Sequence, residues 1–365
     1  MRKLGGSPLD IARLDSTASF VRMILAIPAG LIIDRMKSIK NIYLISSLLI
    51  LPVQLVKGLA QNFQTYFNIR MWEATNIRFN MPTLNILNIS SIKNDDRING
   101  MVTRRMAMSI LGIITPLLAA YLITHFGGLE NINSYRPLFY TQFVGNLFLF
   151  AVMFFKIQEP TINRVDKKQN MMLSLKEMFH EVHGLKWVLF MQVIQFFFFG
   201  IRASLMGLYF YEVKGADAYV LALQSTVGTL VTLALSVPMV RVIDKFGRIK
   251  MAYFAQIVFA LCVIIPIITP ISNPEFLIFY NFFSAIGGAM NLGWDAYMQE
   301  YIPLEYRGRF SGLSTTLVAL TGIPAPLIGG YLWDMNPDLL WWSAVVWYGI
   351  IAIPSIYLVS KQNKI

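Results

Sequence analysis

Long apolar runs separated by short polar breaks follow one another along the whole chain. The runs lack the strict apolar–polar alternation of a half-buried strand. Many of them are about as long as the 20-residue helix that crosses a bilayer core of roughly 30 Å. This pattern predicts an all-α integral membrane protein. Eleven transmembrane helices are predicted, near residues 11–33, 41–60, 65–92, 102–125, 136–156, 184–211, 217–243, 250–271, 275–300, 310–333 and 339–360.

The composition agrees with a membrane protein and limits its chemistry. Hydrophobic residues make up 56% of the 365 and charged residues 14%, whereas a soluble domain has about 25% charged residues. The only cysteine, Cys262, lies inside an apolar run, which excludes a disulfide framework and a thiolate metal site. The sequence HEVH at 180–183 is one residue shorter than the H-E-x-x-H zinc motif. We therefore expect no metal and no cofactor.

The positive charges are distributed unevenly along the chain. The net charge is +11, and most of the 31 lysines and arginines fall in alternate loops. The other loops and the N-terminus hold only Arg2, Lys3, Lys57, Arg136 and Lys214. Because cytoplasmic loops are enriched in Lys and Arg, the basic loops and the C-terminus are predicted to be cytoplasmic in a multi-pass protein of the cell membrane. Topology explains the charge, so we expect no nucleic-acid partner.

Two parts of the chain match one another at an offset of 210 residues. "IPAGLIIDRMKSIK" from residue 27 aligns with "VPMVRVIDKFGRIK" from residue 237, which places Asp34 over Asp244. The same offset places Arg97 over Arg307 and "TPLLAAYL" over "APLIGGYL". A single offset that joins three separate places indicates an internal repeat, a common feature of transporters.

The repeat divides the chain into two related halves. We predict an N-terminal helix bundle over residues 1–156, a cytoplasmic linker over 157–183 and a C-terminal six-helix bundle over 184–365. The first half then has five spans and the second has six, because the span at 184–211 has no counterpart in the first half. Two explanations remain open: a first helix absent from this sequence, which we expect, or an eleven-helix protein.

The charged loops of the two halves resemble the signature loop of the major facilitator superfamily, roughly G-x-x-x-D-R/K-x-G-R/K-x-R/K. "GLIIDRMKSIK" has Lys37 where the second glycine is usual, and "VRVIDKFGRIK" has Val240 in place of the first glycine. The resemblance covers the whole chain. It implies two pseudo-symmetric helix bundles around a central cavity, which rock between outward-open and inward-open states.

The resemblance also implies that the aspartates of the two loops brace a cytoplasmic gate. A carboxylate near a helix N-terminus gains about 0.3 to 1 kcal/mol, and basic neighbours can form ion pairs that break and reform as two halves separate. The alternative is that these loops are only topology signals. The gating residues that we predict are Asp34, Arg35, Lys40, Arg97, Asp244, Lys245, Arg248 and Arg307.

A second resemblance concerns small residues in the two equivalent "PL" segments. "GIPAPLIGG" keeps Gly322, Pro326, Gly329 and Gly330 of the G-x-x-x-G-P-x-x-G-G stretch that is typical of proton-driven exporters, whereas "GIITPLLAA" keeps less of it. Small residues also permit close helix packing in a membrane. The motif favours export slightly, and packing is the simpler interpretation.

Charged and polar residues inside the predicted spans are the candidates for a solute and proton site. Such residues are costly in lipid and usually face a water-filled cavity. Arg70 and Glu73 are three residues apart and can pair on one helix face, and Arg70 resembles the arginine of a fourth-helix signature linked to proton transfer, with Ala74 in place of its glycine. Structural pairing between helices is the alternative. The cavity residues that we predict are Arg22, Arg70, Glu73, Arg78, Gln192, Gln195, Arg202, Asn291 and Asp295.

These observations predict a secondary transporter that moves a small solute by alternating access, is coupled to protons and favours efflux. Three alternatives stay open: an uptake symporter of the same fold, a transporter-like sensor, and a nonfunctional truncated remnant. An enzyme is not expected, because the spans contain no reactive cluster, and the phosphate-binding motif G-x-x-x-x-G-K-[ST] of ATP-driven pumps is absent. The expected partners are a small-molecule substrate, protons and the lipid bilayer, and the expected state is a monomer.

Overall fold

The computed structural model describes residues 1–36, 38–90, 97–159, 177–182, 184–303 and 306–362. Within these ranges the regular structure is helical and contains no strand, which confirms the predicted all-α class.

Five long helices occupy the first half of the chain, one in each predicted span. Helix α1 begins at a capping box, in which Ser7 Oγ accepts a hydrogen bond from the Asp10 amide at 3.0 Å and Asp10 Oδ2 accepts one from the Ser7 amide at 3.0 Å. The hydrogen bonds from Ser7 hold the pKa of Asp10 below its ordinary value. The five helices are α1 (Pro8–Arg35), α2 (Ile39–Leu59), α3 (Phe63–Ser90), α4 (Arg97–His125) and α5 (Arg136–Lys156).

The second half contains the six remaining predicted spans, but several of them are interrupted. The long helices are α6 (Leu185–Ala203), α7 (Ala218–Phe246), α8 (Arg248–Cys262), α9 (Leu277–Tyr301), α10 (Arg307–Thr321), α11 (Pro324–Met335), α12 (Leu339–Val346) and α13 (Ala352–Gln362). A turn at Gly322 separates α10 from α11 inside one predicted span, and a π-helical turn, Trp347–Ile351, joins α12 to α13 inside another. A second π-helical turn, Tyr209–Val213, ends the span that α6 begins.

Nine helical segments of the described residues are long and apolar enough to cross a membrane. Helices α1 and α3 are not among them, although each has 28 residues, which corresponds to about 42 Å at 1.5 Å per residue. Both carry several charged side chains, which lower their mean hydropathy. A multi-pass membrane protein is therefore confirmed, whereas the number eleven remains a prediction.

The chain divides into two compact units. The first comprises Met1–Leu111 and Leu118–Asp166, and the second comprises Gly112–Leu117 and Lys167–Ile365. The division falls inside the predicted linker, most of which (160–176, with His183) lies outside the described residues.

Each unit has a small apolar core close to its charged loop. In the first unit Ile33, Ile42 and Leu87 pack together at 4%, 6% and 1% exposure. In the second unit Met239 and Ile243 pack with Met251 and Ala289. Ile33 and Ile243 are equivalent at the offset of 210 residues, so the repeat extends from the sequence motif to the core beneath it.

Helix α5 shows how the apolar surface is used. None of its residues is buried, and Val144, Phe148 and Phe155 are 62%, 68% and 79% exposed. A soluble protein rarely exposes such a patch. In a membrane protein the same side chains contact lipid, where their exposure carries no hydrophobic penalty.

Candidate functional site

A buried ion-pair network connects α2 and α3 in the first unit. Arg70 donates to Glu73 Oε2 at 2.5 Å, and Lys57 Nζ donates to the same oxygen at 2.8 Å. The side chains of Lys57, Glu73 and Arg70 are 7%, 12% and 33% exposed. The predicted pair of Arg70 and Glu73 is confirmed, and a second cation that the sequence did not assign to it completes the network.

The position of Lys57 corrects the charge assignment made from the sequence, which counted this residue with the loops although the predicted span 41–60 includes it. Helix α2 continues to Leu59, so Lys57 occupies its last turn and is buried. A basic residue in the last turn of a helix is favoured by the helix dipole, and its pairing with Glu73 offsets its burial. The flanking sequence "LVKGL" is apolar on both sides of the lysine, which was the available signal for a buried position.

Two further arginines lie near this network. Arg22 on α1 donates from Nε to the carbonyl of Ala18 at 3.1 Å and from Nη2 to Ser19 Oγ at 3.0 Å. Arg78 on α3 is half-buried, and its Nε is shielded from solvent without a hydrogen-bond partner. Arg22 is repelled by the charges of Arg70 and Arg78 and attracted by those of Asp15 and Glu73. All four cavity residues predicted in this unit therefore belong to one electrostatic cluster.

The polar residues predicted on α6 and α9 have separate environments. Gln192 accepts a hydrogen bond from Ser314 of α10 at 2.5 Å, which joins two helices. Gln195 is half-buried, and Asn291 accepts a bond of 3.5 Å from Gln256. Asp295 is exposed on α9. Two of these four residues thus make contacts of the interhelical kind that was the alternative to lining a cavity.

Arg202 is enclosed by aromatic rings. It is 3% exposed, and its guanidinium lies 5.5 Å, 5.9 Å and 5.8 Å from the ring centres of Phe199, Trp341 and Tyr348. Cation–π contacts of this kind are attractive and become stronger when water is excluded. Of these rings, that of Phe199 is 50% exposed, whereas that of Trp341 is fully buried.

A second polar cluster lies in the second unit, where the π-helical turn Tyr209–Val213 ends the span that α6 begins. The hydroxyl of Tyr209 donates to Asp338 at 2.5 Å. Lys214 Nζ donates to the carbonyls of Ile267 and Thr269 at 2.9 and 3.1 Å, which satisfies carbonyls at the end of a short helical turn. Burial lowers the pKa of Lys214. The sequence analysis did not predict this cluster, because its members are far apart in the chain.

The predicted gating residues are only partly described. The side chains of Asp34, Arg97 and Arg307 lie outside what the structure describes. Arg35, Asp244 and Lys245 are exposed, and Lys40 is half-buried. Arg248 forms an ion pair with Glu300 on α9, a partner that the sequence did not indicate.

An unpredicted carboxylate binds the N-terminus of α2, directly after the first charged loop. Glu159 accepts hydrogen bonds from the amides of Ile39 at 2.6 Å and Lys40 at 3.2 Å and from the hydroxyl of Ser38 at 2.5 Å. Free amides and the helix dipole make a helix N-terminus a favourable place for a negative charge. Glu159 thus makes the type of contact that the resemblance implied for the aspartates.

One glycine of the exporter-like stretch has a clear packing role. A Cβ atom on Gly329 would overlap the carbonyl oxygen of Ile201, and one on Gly200 would lie 2.9 Å from Ala325 Cβ. Helices α6 and α11 therefore approach backbone to backbone, which only small residues permit.

Comparisons with known proteins agree with this architecture. The family model of the Major Facilitator Superfamily matches residues 1–224 and 188–362. A single-residue mutant of the nucleoside transporter NupG has a similar fold, with a TM-score of 0.77 at 11% identity over 98% of this chain and 92% of that chain. A bacterial homologue of the human lysosomal transporter Spinster, inward-facing and unoccupied, gives 0.68 at 15% identity, over 99% and 91% of the two chains. No curated protein matches the sequence.

Proposed function

This chain belongs to the major facilitator superfamily, and from that premise we propose that it exports a small solute by alternating access coupled to protons. It is a secondary transporter and a multi-pass membrane protein, not an enzyme. The coupling, the direction, the monomeric state, the cell membrane and the cytoplasmic C-terminus are parts of the proposal.

The observation that carries proton coupling is the environment of Glu73. Its carboxylate lies within helices and is 12% exposed, yet one of its oxygens, Oε2, accepts hydrogen bonds from both Lys57 and Arg70. Lys57 comes from α2, whereas Arg70 and Glu73 both lie on α3, so a relative movement of α2 and α3 withdraws Lys57 from the carboxylate. A carboxylate that loses its cations in a low-dielectric site takes up a proton.

This arrangement gives a simple cycle. With Lys57 and Arg70 in contact, Glu73 is held as the charged carboxylate. When a conformational change withdraws Lys57 and a change of rotamer turns the Arg70 side chain away, the carboxylate binds a proton, and the return movement releases that proton on the other side. The required switch is a few kcal/mol, or about two pKa units. A fixed structural pair that never titrates is the competing interpretation.

Export is proposed from the resemblance of "GIPAPLIGG" to the exporter motif. The close approach of Gly329 to α6 gives that motif a packing role that is independent of direction. Uptake by symport is therefore the second candidate, and a vesicle experiment decides between them. A sensor or a nonfunctional protein would move no solute in either direction.

The test uses proteoliposomes with an imposed pH gradient. The solute is chosen as the compound that most raises the unfolding temperature of the purified protein, because a ligand of the folded state stabilises it. Wild type should move this solute against its gradient when protons flow. Glu73→Gln should lose this driven movement but keep solute exchange between equal concentrations, which shows that the variant is folded. Glu130→Gln, which alters an exposed pair with Lys3, is the matched control.

If Glu73→Gln still accumulates the solute in response to the pH gradient, Glu73 is not the coupling acid, and Asp295 becomes the next residue to test.

A further inference from the structure

We propose that Arg22 and Arg78 form a binding site for the anionic group, a carboxylate or a phosphate, of the transported solute. This inference rests on the proposed transport function and deepens it, because it names the chemical class of the solute. It is carried by the contacts and charges of α1 and α3, which pack against one another in the first unit.

The cluster around Glu73 carries more positive than negative charge. Four cations, Arg22, Lys57, Arg70 and Arg78, share two carboxylates, Asp15 and Glu73. Glu73 is already bonded to Lys57 and Arg70. Among the described residues no carboxylate forms an ion pair with Arg22 or Arg78. The cluster therefore has an excess of two positive charges, within helices that we predict to span the membrane, where unpaired charges are strongly disfavoured.

Arg22 and Arg78 have hydrogen-bond donors that no protein group uses. Each guanidinium has five N–H donors. Arg22 uses two of them within its own helix, on the carbonyl of Ala18 and the hydroxyl of Ser19. Arg78 has no partner for its buried Nε. Both side chains are only half-buried, so their unused donors, apart from the shielded Nε of Arg78, are open to a ligand.

The two arginines are close enough to interact electrostatically. The positive charge of Arg22 acts on Arg78, and that of Arg70 acts on Arg22. Like charges that are held together in a partly desolvated site repel one another unless an anion lies between them. A planar guanidinium matches the two oxygens of a carboxylate or phosphate with paired hydrogen bonds, which makes arginine the preferred residue for such groups.

The test measures binding and does not depend on transport. The full chain is placed in nanodiscs of phosphatidylcholine, and its unfolding temperature is followed by tryptophan fluorescence at constant ionic strength. The probes are benzoate, neutral benzamide, the benzylammonium cation and inorganic phosphate. Benzoate and phosphate should raise the unfolding temperature in a saturable manner, whereas benzamide and benzylammonium should not. Equal effects of benzoate and benzamide would overturn the proposal.

Substitutions identify the residues. Arg22→Gln and Arg78→Gln should each weaken benzoate binding roughly tenfold to a hundredfold, since each removes charge-assisted hydrogen bonds. Arg13→Gln is the matched control, because Arg13 lies on the same helix as Arg22 but is exposed and paired with Asp10. Unchanged affinity in both variants, or an equal loss in the control, would contradict the assignment.

A second measurement keeps the proposal falsifiable if a variant binds nothing. Without any anion, Arg78→Gln should unfold at a higher temperature than wild type, because the substitution removes one of two uncompensated like charges. A purely structural arginine would give the opposite result. An unfolding temperature that does not rise overturns the inference.

The lipid headgroup is a second source of the same chemistry. Adding phosphatidylglycerol to the nanodiscs separates the two sources. If lipid headgroups occupy the site, phosphatidylglycerol raises the unfolding temperature of wild type but not that of Arg78→Gln. Benzoate then raises the unfolding temperature of wild type no further. That result would overturn the assignment to the solute. If wild type binds benzoate but a pH gradient does not drive its transport, that result would contradict only the proposed proton coupling.

Discussion

Glu73 stabilises the first unit by compensating the buried charge of Lys57, and Glu73→Gln is the substitution that should reveal it most clearly. Lys57 is 7% exposed at its side chain, so the variant leaves an almost fully buried ammonium group without a carboxylate. Removing one partner of a buried ion pair costs about 3 to 5 kcal/mol. Arg70 adds little to this loss, because its side chain is 33% exposed and water screens its charge.

The double variant separates charge from shape. Lys57→Met alone should be milder, at about 1 to 2 kcal/mol, because Glu73 keeps its contact with Arg70. In Lys57→Met/Glu73→Gln the orphaned ammonium is gone, so the double variant should be more stable than Glu73→Gln alone. A coupling energy of about 2 kcal/mol or more is expected.

Reversible unfolding in mixed micelles of dodecyl maltoside and dodecyl sulfate, monitored by tryptophan fluorescence, measures these differences. Glu130→Gln serves as the control, since its carboxylate is 80% exposed and pairs with Lys3 at the surface, where an ion pair contributes about 1 kcal/mol or less. The reasoning is refuted if Glu73→Gln is no more harmful than Glu130→Gln, or if the effects of the two substitutions at the network simply add.

Three further predictions concern other parts of the chain. Gly329→Ala should lower the unfolding temperature and the folded yield, because its Cβ would overlap a carbonyl oxygen of α6. The control is Gly312→Ala, which has open space around it and should be neutral or stabilise its helix by about 1 kcal/mol. Tyr209→Phe should cost about 1.5 to 3 kcal/mol in the same unfolding assay, because it removes a hydrogen bond to the charged Asp338; an unchanged stability would contradict this. Asp244→Asn should reduce solute transport while leaving expression and solute binding intact, since a gating residue shifts the balance of states and not the pocket; a parallel loss of binding would place this residue elsewhere in the mechanism.

The positions of the helices could be predicted because length and apolar character decide them. Helices α2 and α5 lie within a few residues of the predicted spans, at Ile39–Leu59 and Arg136–Lys156. The interruptions could not be predicted in the same way. The π-helical turn at Trp347 accompanies stacking of its ring on Phe198, 5.9 Å away, and that contact joins residues from opposite ends of the second unit.

The candidate site was predictable where its contacts are local. Arg70 and Glu73 are one helical turn apart, so their spacing alone indicated the pair. Lys57 and Glu159 reach their partners from other helices or loops, and no local spacing reveals such contacts. These contacts arise from the packing of α2 against α3 and of the chain after α5 against the start of α2.

Alternating access coupled to protons is the central claim, and distances between repeat-equivalent positions test it most directly. Cys262→Ser first removes the only native cysteine. One sample then carries spin labels at Met36→Cys and Phe246→Cys, and another carries them at Gln61→Cys and Ile271→Cys. All four positions are exposed. Pulsed electron resonance then measures both distance distributions at neutral and acid pH. We expect two populations at each pair, with acidification lengthening the distance at one pair and shortening it at the other. Glu73→Gln should abolish this response. A single distance at both pairs that is independent of pH, or a pH response that Glu73→Gln leaves unchanged, would contradict the central claim.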